Sequence, residues 1–412
     1  MASQKCKGAR DLLPRDTKAF RFIEELFRKS CASWGYQEVR TPTLEYLHLF
    51  TAAGTLTPHM LSKVYSFLDW DGWSGERVVL RPDGTIPVAR LYVENLSQQG
   101  TARLFYITNV FVFEETGREN RERWQCGAEL IGSGQPASDV ELILLAAQIL
   151  RNLDIGDIQI QLSHAGMLKA LIKELKLNPE EEQKLTDQIL EGNWQVLTEA
   201  KLGNSTASKF MSLLLDLQGK SSSFLENLKA LPGLSTRLTS ALENFTTITT
   251  LLDVLGYTYR IDITSTTDFE YYTGLCFQFS ARGSRVGSGG RYDSLIPLIG
   301  GKNTPACGFA LYVDPLISLV QPKIKPNAQK KVSVRCATAT PETLKASFQL
   351  ADSLRQAGYI AELDFDSRHS NWRWAISVQG KTPTFLITDQ MQNEQQEASS
   401  IADVIRIIGG ST

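Results

Sequence analysis

The residues of this chain that are best suited to chemistry fall into two short sets. Asp83 and Thr85 form the first, and Gln125 and Glu129, with Gly127 between them, form the second. Side chains two apart on a β-strand point to one face of the sheet, so in strands each set would present its polar groups together. Carboxylates attract cations, and an amide beside a carboxylate pairs with N–H donors. The sets indicate a pocket for a small polar molecule, although such residues also occur singly in sheet edges and turns.

Tyrosines and glycines in a later segment would complete such a pocket. Tyr271 and Tyr272 are adjacent, and Tyr292 follows closely after the pair Gly289 and Gly290. Tyrosine rings make large walls with a polar edge, and glycines let the backbone approach a ligand closely. We therefore predict that Tyr271 and Tyr272 wall the pocket and that Tyr292 lies nearby.

The bulk composition is that of a globular protein with more than one domain. The chain has 412 residues, of which 42% are hydrophobic and 21% charged, and its net charge is -2. This length favours two or three domains. A charge so close to zero gives the molecule no overall field that attracts nucleic acid, although a local basic stripe would still bind it.

Cysteine usage and the N-terminal segment favour a cytoplasmic protein. The six cysteines are scattered without a CxxC pair, and the four histidines are dispersed. Structural zinc sites need close ligand pairs, so we predict reduced thiols, no metal and no cofactor. The N-terminal segment has no apolar leader, and no run approaches the ~20 apolar residues of a membrane span.

The pattern of apolar residues predicts an α+β fold with an antiparallel sheet flanked by helices. The candidate strands are more numerous and more closely spaced than a series of parallel β-α-β units would allow. We predict helices over 17–34 and 139–153, and strands over 37–40, 78–81, 104–113, 257–263 and 275–279.

Composition changes along the chain predict its domains. Apolar residues at heptad-like spacing predict a helical insertion over 165–250, and residues 283–290 read as a glycine-rich turn. Residues 321–330 combine two prolines with polar residues, which is typical of a linker. We therefore predict a main domain over 1–320 and a small α/β domain over 331–412.

Several motifs, in the right order and over most of the chain, resemble those of class II histidyl-tRNA synthetases. The similar segments are 7–14 at the opening, 35–45 (motif 1, which forms dimers), 81–85 (the amino-acid-binding turn), 103–129 (motif 2), 270–274 (the histidine-specific motif), 289–293 and 307–311 (the start of motif 3). The resemblance implies a class II aminoacyl-tRNA synthetase-like antiparallel sheet and a reduced anticodon-binding-like C-terminal domain. It also implies that six residues bind histidine: Asp83, Thr85, Gln125, Glu129, Tyr271 and Tyr272.

The resemblance fails where a synthetase needs positive charge. Three positions that carry phosphate-binding or catalytic arginines in the family hold Val112, Thr267 and Pro315 here, and Asp268 and Glu270 would repel a phosphate. Loss of one preorganised charge-stabilising group typically costs ~3 kcal/mol, or on the order of 10²–10³ in rate. We therefore predict that the chain does not activate histidine and is not an enzyme.

A synthetase-like body without activation chemistry resembles the regulatory subunits of ATP phosphoribosyltransferase, the first enzyme of histidine biosynthesis. That resemblance implies a short catalytic subunit as partner and a hetero-oligomer built on homodimers. It also implies feedback regulation by free L-histidine, whose inhibitory site lies either on this chain or on the partner.

The alternative is a divergent histidyl-tRNA synthetase, which the C-terminal domain favours. Acidic residues such as Glu362 and Asp364 do not form the basic platform that RNA needs, so tRNA binding is not expected. Arg121 best fits a remaining arginine of motif 2 and is a candidate anion contact; a solvated, charged loop explains it equally well.

Overall fold

A computed structural model describes the residues 4–53, 63–70, 75–113, 119–190, 193–194, 196, 222–263, 272–321, 331–365, 372–381 and 384–410. The chain divides into two compact units, Met1–Ile324 and Lys325–Thr412. The first unit contains two hydrophobic cores and the second contains one.

The first unit contains the following described elements, in chain order: α1 (Pro14–Ser33), β1 (Gln37–Glu38), β2 (Leu44–Tyr46), α2 (Leu47–Ala52), β3 (Ser66–Trp70), β4 (Gly75–Leu80), α3 (Thr85–Asn95), β5 (Ala102–Phe111), β6 (Glu122–Ile131), α4 (Pro136–Asn152), β7 (Ile158–His164), α5 (Ala165–Glu174), α6 (Pro179–Leu190), α7 (Ser222–Lys229), α8 (Thr236–Val254), β8 (Arg260–Ile261), β9 (Leu275–Ala281), β10 (Ser284–Arg291), α9 (Leu295–Leu298), β11 (Ala306–Tyr312) and α10 (Val313–Val320). Among the described residues, every helix is too short or too polar to cross a lipid bilayer.

The main sheet has eight strands in the described part of the unit, in the order β1-β5-β6-β11-β10-β9-β7-β8. Its six central strands are antiparallel to one another. The two edge strands, β1 and β8, run parallel to the strands beside them. The predicted antiparallel sheet flanked by helices is therefore confirmed.

Strand β6 separates two cores by simple alternation. Cys126, Ala128 and Leu130 are buried on one face, in the larger core that also contains α1, α4 and α8 residues. The intervening Gly127 and Glu129 lie on the opposite face, which borders the smaller core. This alternation confirms that Gln125, Gly127 and Glu129 share one face, as their spacing predicts.

Two local structures differ from what the spacing and composition suggest. Asp83 and Thr85 do not lie in a strand, because β4 ends at Leu80 and α3 begins at Thr85; Asp83 lies in the turn between them, where the resemblance also implies a turn. The segment 283–290 is not a turn but most of strand β10. Its glycines are needed because a Cβ at Gly289 would collide with the Gly308 carbonyl and one at Gly290 with the Tyr272 ring.

The second unit is a smaller α/β fold. It contains β12 (Lys331–Cys336), α11 (Pro341–Gln356), β13 (Ile360–Leu363), β14 (Trp374–Val378), β15 (Phe385–Asp389), β16 (Glu394–Ala398) and α12 (Ile401–Gly409). Strands β13, β12 and β14 are parallel, and β15 and β16 continue the sheet antiparallel. Residues of α11 and α12 pack on this sheet in one apolar core.

Candidate functional site

Glu129 is a buried carboxyl on the face of β6 that borders the smaller core. Its side chain is 1% exposed and lies over Gly308 of β11, where a Cβ would overlap the carboxyl group. The Tyr292 hydroxyl donates a short hydrogen bond to Glu129 Oε2. Oε1 accepts no hydrogen bond from any described residue. A buried oxygen left without a donor is costly, which makes Oε1 the natural contact for an N–H group of a ligand.

The surroundings of Glu129 hold its proton tightly. Burial raises the pKa of Glu129 to about 8, and the negative charge of Asp83 acts in the same direction. The hydrogen bond from Tyr292 and the nearby Thr85 hydroxyl oppose this shift because they stabilise the ionised form. The free carboxyl is therefore largely protonated at neutral pH, so binding of a ligand can be coupled to a proton transfer.

We expect the raised pKa of Glu129 to make folding stability fall as the pH rises from 4.5 to about 8. In this window the unfolded chain has lost the Glu129 proton while the folded chain keeps it. The slope from this group approaches roughly 1.4 kcal/mol per pH unit. Glu129→Gln cannot titrate, so urea unfolding at pH 5.0 to 8.5 should show the variant gaining stability relative to the wild type as the pH rises. If the free energy of unfolding changes with pH in the same way for the two proteins, the raised pKa is contradicted.

Tyr106 on β5 lies beside Glu129 and forms the floor of the predicted pocket. Its ring fills the space that glycine leaves at Gly84 and Gly127, because a Cβ at either position would overlap it. Its hydroxyl lies 3.4 Å from the Thr85 hydroxyl. Burial and the nearby Glu129 raise the pKa of Tyr106 well above its ordinary value, so it remains a neutral hydrogen-bonding group.

The other predicted pocket residues lie around this floor. Asp83 accepts a hydrogen bond from the backbone N–H of Ile86 at 2.8 Å, which fixes its carboxylate at the start of α3. Gln125 Oε1 is buried and, among the described residues, has no hydrogen-bond donor. The Tyr272 ring packs over Gly290 and contacts both cores. The structure thus brings Asp83, Thr85, Glu129 and Tyr292 together, whereas Tyr271 lies outside the described residues.

A buried ion pair supports the site from behind. Arg291 precedes Tyr292 and donates from Nε and Nη2 to the carboxylate of Asp139 on α4, with the Nη2–Oδ2 distance 2.8 Å. The two side chains are 6% and 1% exposed. Burial raises the pKa of Asp139 to about 6, although the Arg291 charge opposes the rise. Sequence reasoning missed this pair because its partners are 152 residues apart and no local pattern links them.

Val112 and Pro315, which stand where the synthetase family has arginines, make ordinary structural contacts. The Val112 backbone N–H donates to the Arg121 carbonyl at 2.9 Å, and Pro315 lies in the first turn of α10. Asp314, beside Pro315, forms an ion pair with Arg10 and accepts a hydrogen bond from the Trp124 backbone N–H at 3.3 Å. Thr267 lies outside the described residues.

Two further arginines of motif 2, Arg121 and Arg123, also have protein partners. The Arg121 guanidinium lies 4.5 Å from the Phe113 ring centroid and packs against Gly8. Arg123 forms an ion pair with Glu119 at 2.6 Å. These contacts account for both cations without a ligand, and an anion contact of Arg121 stays a prediction.

The antiparallel sheet flanked by helices has the fold of class II histidyl-tRNA synthetases. The family model for histidyl-tRNA synthetase matches residues 8–316. An ATP phosphoribosyltransferase regulatory subunit from Dehalococcoides mccartyi is 44% identical over 409 residues, which cover 98% of each chain. The chain therefore belongs to the histidyl-tRNA synthetase family and, within it, to the ATP phosphoribosyltransferase regulatory subunits.

Two more comparisons agree with this assignment. A solved structure from Bacillus halodurans, described as an ATP phosphoribosyltransferase regulatory subunit/histidyl-tRNA synthetase, superposes with a TM-score of 0.79 at 26% identity and covers 93% of this chain and 100% of its own. A histidine–tRNA ligase from Methanocaldococcus jannaschii is more distant, at 32% identity over 373 residues, 89% of this chain and 86% of the relative. The predictions of a synthetase-like fold and of a regulatory rather than catalytic subunit are confirmed.

Proposed function

We propose that this chain activates a short catalytic ATP phosphoribosyltransferase subunit and that its Glu129 pocket binds free L-histidine as a feedback signal. Family membership supports the first part, since relatives carry the name of regulatory subunit. The observation that carries the second part is Glu129 itself, which is buried over Gly308 with one carboxyl oxygen that no described residue satisfies.

Histidine matches the chemistry of this pocket at both ends. The imidazole ring offers an N–H donor to Glu129 Oε1, and its second nitrogen accepts or releases a proton near neutral pH. The α-ammonium group suits the carboxylate of Asp83 and the hydroxyl of Thr85, while Gln125 supplies a further acceptor. Tyr271 and Tyr272 are the proposed walls.

The same arrangement favours binding without activation. Adenylate formation requires several cations around the phosphates of ATP. Val112 and Pro315 are uncharged, and the nearby Arg10 is paired with Asp314. A ligand that binds and does not react is what a sensor requires.

Feedback follows if histidine binds two assembly states with different affinity, because a ligand shifts an equilibrium only by that difference. In this proposal the chain acts as a homodimer within a cytoplasmic hetero-oligomer. The C-terminal unit contacts the partner or is a remnant of an anticodon-binding domain, and it does not bind tRNA.

The test is to mix the chain with a short catalytic subunit and to follow phosphoribosyl transfer from phosphoribosyl pyrophosphate to ATP. The proposal requires a rate well above that of the catalytic subunit alone and suppression of that rate by histidine. A mixture made with Glu129→Gln serves as the matched control and should respond less to histidine. Absence of any rise would overturn the regulatory role, and equal suppression of the two mixtures would place the inhibitory site on the partner.

A further inference from the structure

A β-bulge turns Arg285 toward one face of the main sheet. The register between β9 and β10 shifts between Arg285 and Gly287, so Arg285 pairs with Ser280 and Ser288 pairs with Gln278. Ser280 and Gln278 are two apart on one strand and therefore share a face. The extra residue of the bulge is what brings Arg285 to that face, because a bulge changes which side a residue points to.

That face is the one that carries Glu129. Ser288 pairs with Ala310 of β11, and Ala310 pairs with Gly127 of β6. Directly paired residues lie on the same side of a sheet, so Arg285 and Ser288 share the side of Gly127 and Glu129. The Tyr106 ring covers Gly127, but the small, partly exposed Ala310 next to it leaves a low stretch between the Glu129 carboxyl at one end and the Arg285 guanidinium at the other.

Arg285 is a cation without a carboxylate partner among the described residues. Its guanidinium lies 5.7 Å from the centroid of the Tyr312 ring. Its Nε atom is buried, and no described residue accepts a hydrogen bond from it. The Tyr312 hydroxyl and Ser288 Oγ are 2.5 Å apart beside it, and Tyr312 pairs directly with Gln125.

Two buried polar atoms therefore remain unsatisfied in one small region: the Arg285 Nε donor and the Gln125 Oε1 acceptor. Gln125 and Glu129 are four residues apart on β6, or ~13 Å at ~3.3 Å per residue. The side chain of Glu129 extends into this span from one end, and the side chains of Gln125 and Arg285 extend into it from the other. A zwitterionic amino acid lying over Ala310, beside the Tyr106 ring, would satisfy groups at both ends at once.

We propose that Arg285, Ser288 and Tyr312 form a subsite for the α-carboxylate of the amino acid whose imidazole contacts Glu129. This inference rests on the proposed histidine pocket and deepens it. A single guanidinium matches the single charge of a carboxylate in a bidentate pair, whereas a polyphosphate needs several cations. Arg285 thus supplies a positive charge that Thr267, as an uncharged residue, does not.

Calorimetric titration of the full-length chain with histidine and with histidinol, which lacks the carboxylate, tests the subsite. Arg285→Gln should weaken histidine binding about 10- to 100-fold, the range of a lost charge-assisted hydrogen bond, and leave histidinol binding nearly unchanged. Arg282→Gln is the matched control, because it removes the same charge from an exposed position in the adjacent hairpin turn and should change neither affinity.

Each other outcome has a definite meaning. If wild-type protein binds histidine and Arg285→Gln binds it equally well, the subsite is wrong and the proposed histidine pocket stands. If the variant weakens histidinol as much as histidine, Arg285 shapes the pocket and does not contact the carboxylate. If inorganic phosphate binds through Arg285 without competing with histidine, the subsite belongs to a phosphate. If the wild type binds no histidine, the proposed pocket and the subsite both fall.

Discussion

Replacement of Glu129 by alanine is expected to weaken histidine binding by at least about 100-fold. The change removes the buried carboxyl that is the proposed partner of the imidazole, and it leaves the Tyr292 hydroxyl without its acceptor. Loss of a charge-assisted hydrogen bond together with an unsatisfied buried group amounts to roughly 3 kcal/mol or more. Calorimetric titration of the two purified proteins with histidine measures the effect directly.

Two further variants separate this effect from damage to the fold. Glu129→Gln keeps the size of the side chain and an acceptor for Tyr292, so it should lose affinity while retaining structure. Glu122→Gln changes an exposed carboxylate on the same strand and keeps an oxygen that accepts from the Asn109 amide. It should bind like the wild type. Unchanged affinity in Glu129→Ala would show that histidine, if it binds, binds elsewhere.

Breaking the Arg291–Asp139 ion pair is expected to destabilise the first unit by about 3–5 kcal/mol. Arg291→Met leaves the almost fully buried Asp139 carboxylate without its bidentate partner. Removal of one member of a buried pair has a cost of this size because the remaining charge is uncompensated. Urea unfolding followed by tryptophan fluorescence should show the transition of this unit at a much lower denaturant concentration.

The double variant Asp139→Leu/Arg291→Met is the control for this prediction. It removes both charges and replaces them with apolar groups, so it should recover much of the stability that the single variant loses. If Arg291→Met and the double variant are equally destabilised, the loss comes from packing around Arg291 and not from the unpaired carboxylate.

The sequence predicts the sheet and part of the site because both depend on local patterns. The alternation along β6 places Gln125, Gly127 and Glu129 on one face before any tertiary contact is known, and strand pairing bears this out. Tyr292 beside Glu129 was predicted as a neighbour, and the hydrogen bond between them agrees with that prediction.

The remainder depends on tertiary context that no short pattern carries. The run of glycines in β10 has the composition of a turn, yet these residues form a strand because Tyr272 and the backbone of β11 occupy the space of their side chains. Asp83 and Thr85 have a strand-like spacing, but the helix that begins at Thr85 overrides it. No local pattern singles out Tyr106, because its role depends on the packing of its ring against Gly84 and Gly127, which are distant in sequence.

The central claim is that this chain has the body of a synthetase and binds histidine without activating it. Histidine-dependent exchange of pyrophosphate into ATP tests that claim most directly, with a genuine histidyl-tRNA synthetase as positive control. The account predicts no exchange above background at saturating histidine and ATP, because uncharged residues stand at Val112, Thr267 and Pro315. Exchange that depends on histidine and on this polypeptide would contradict it.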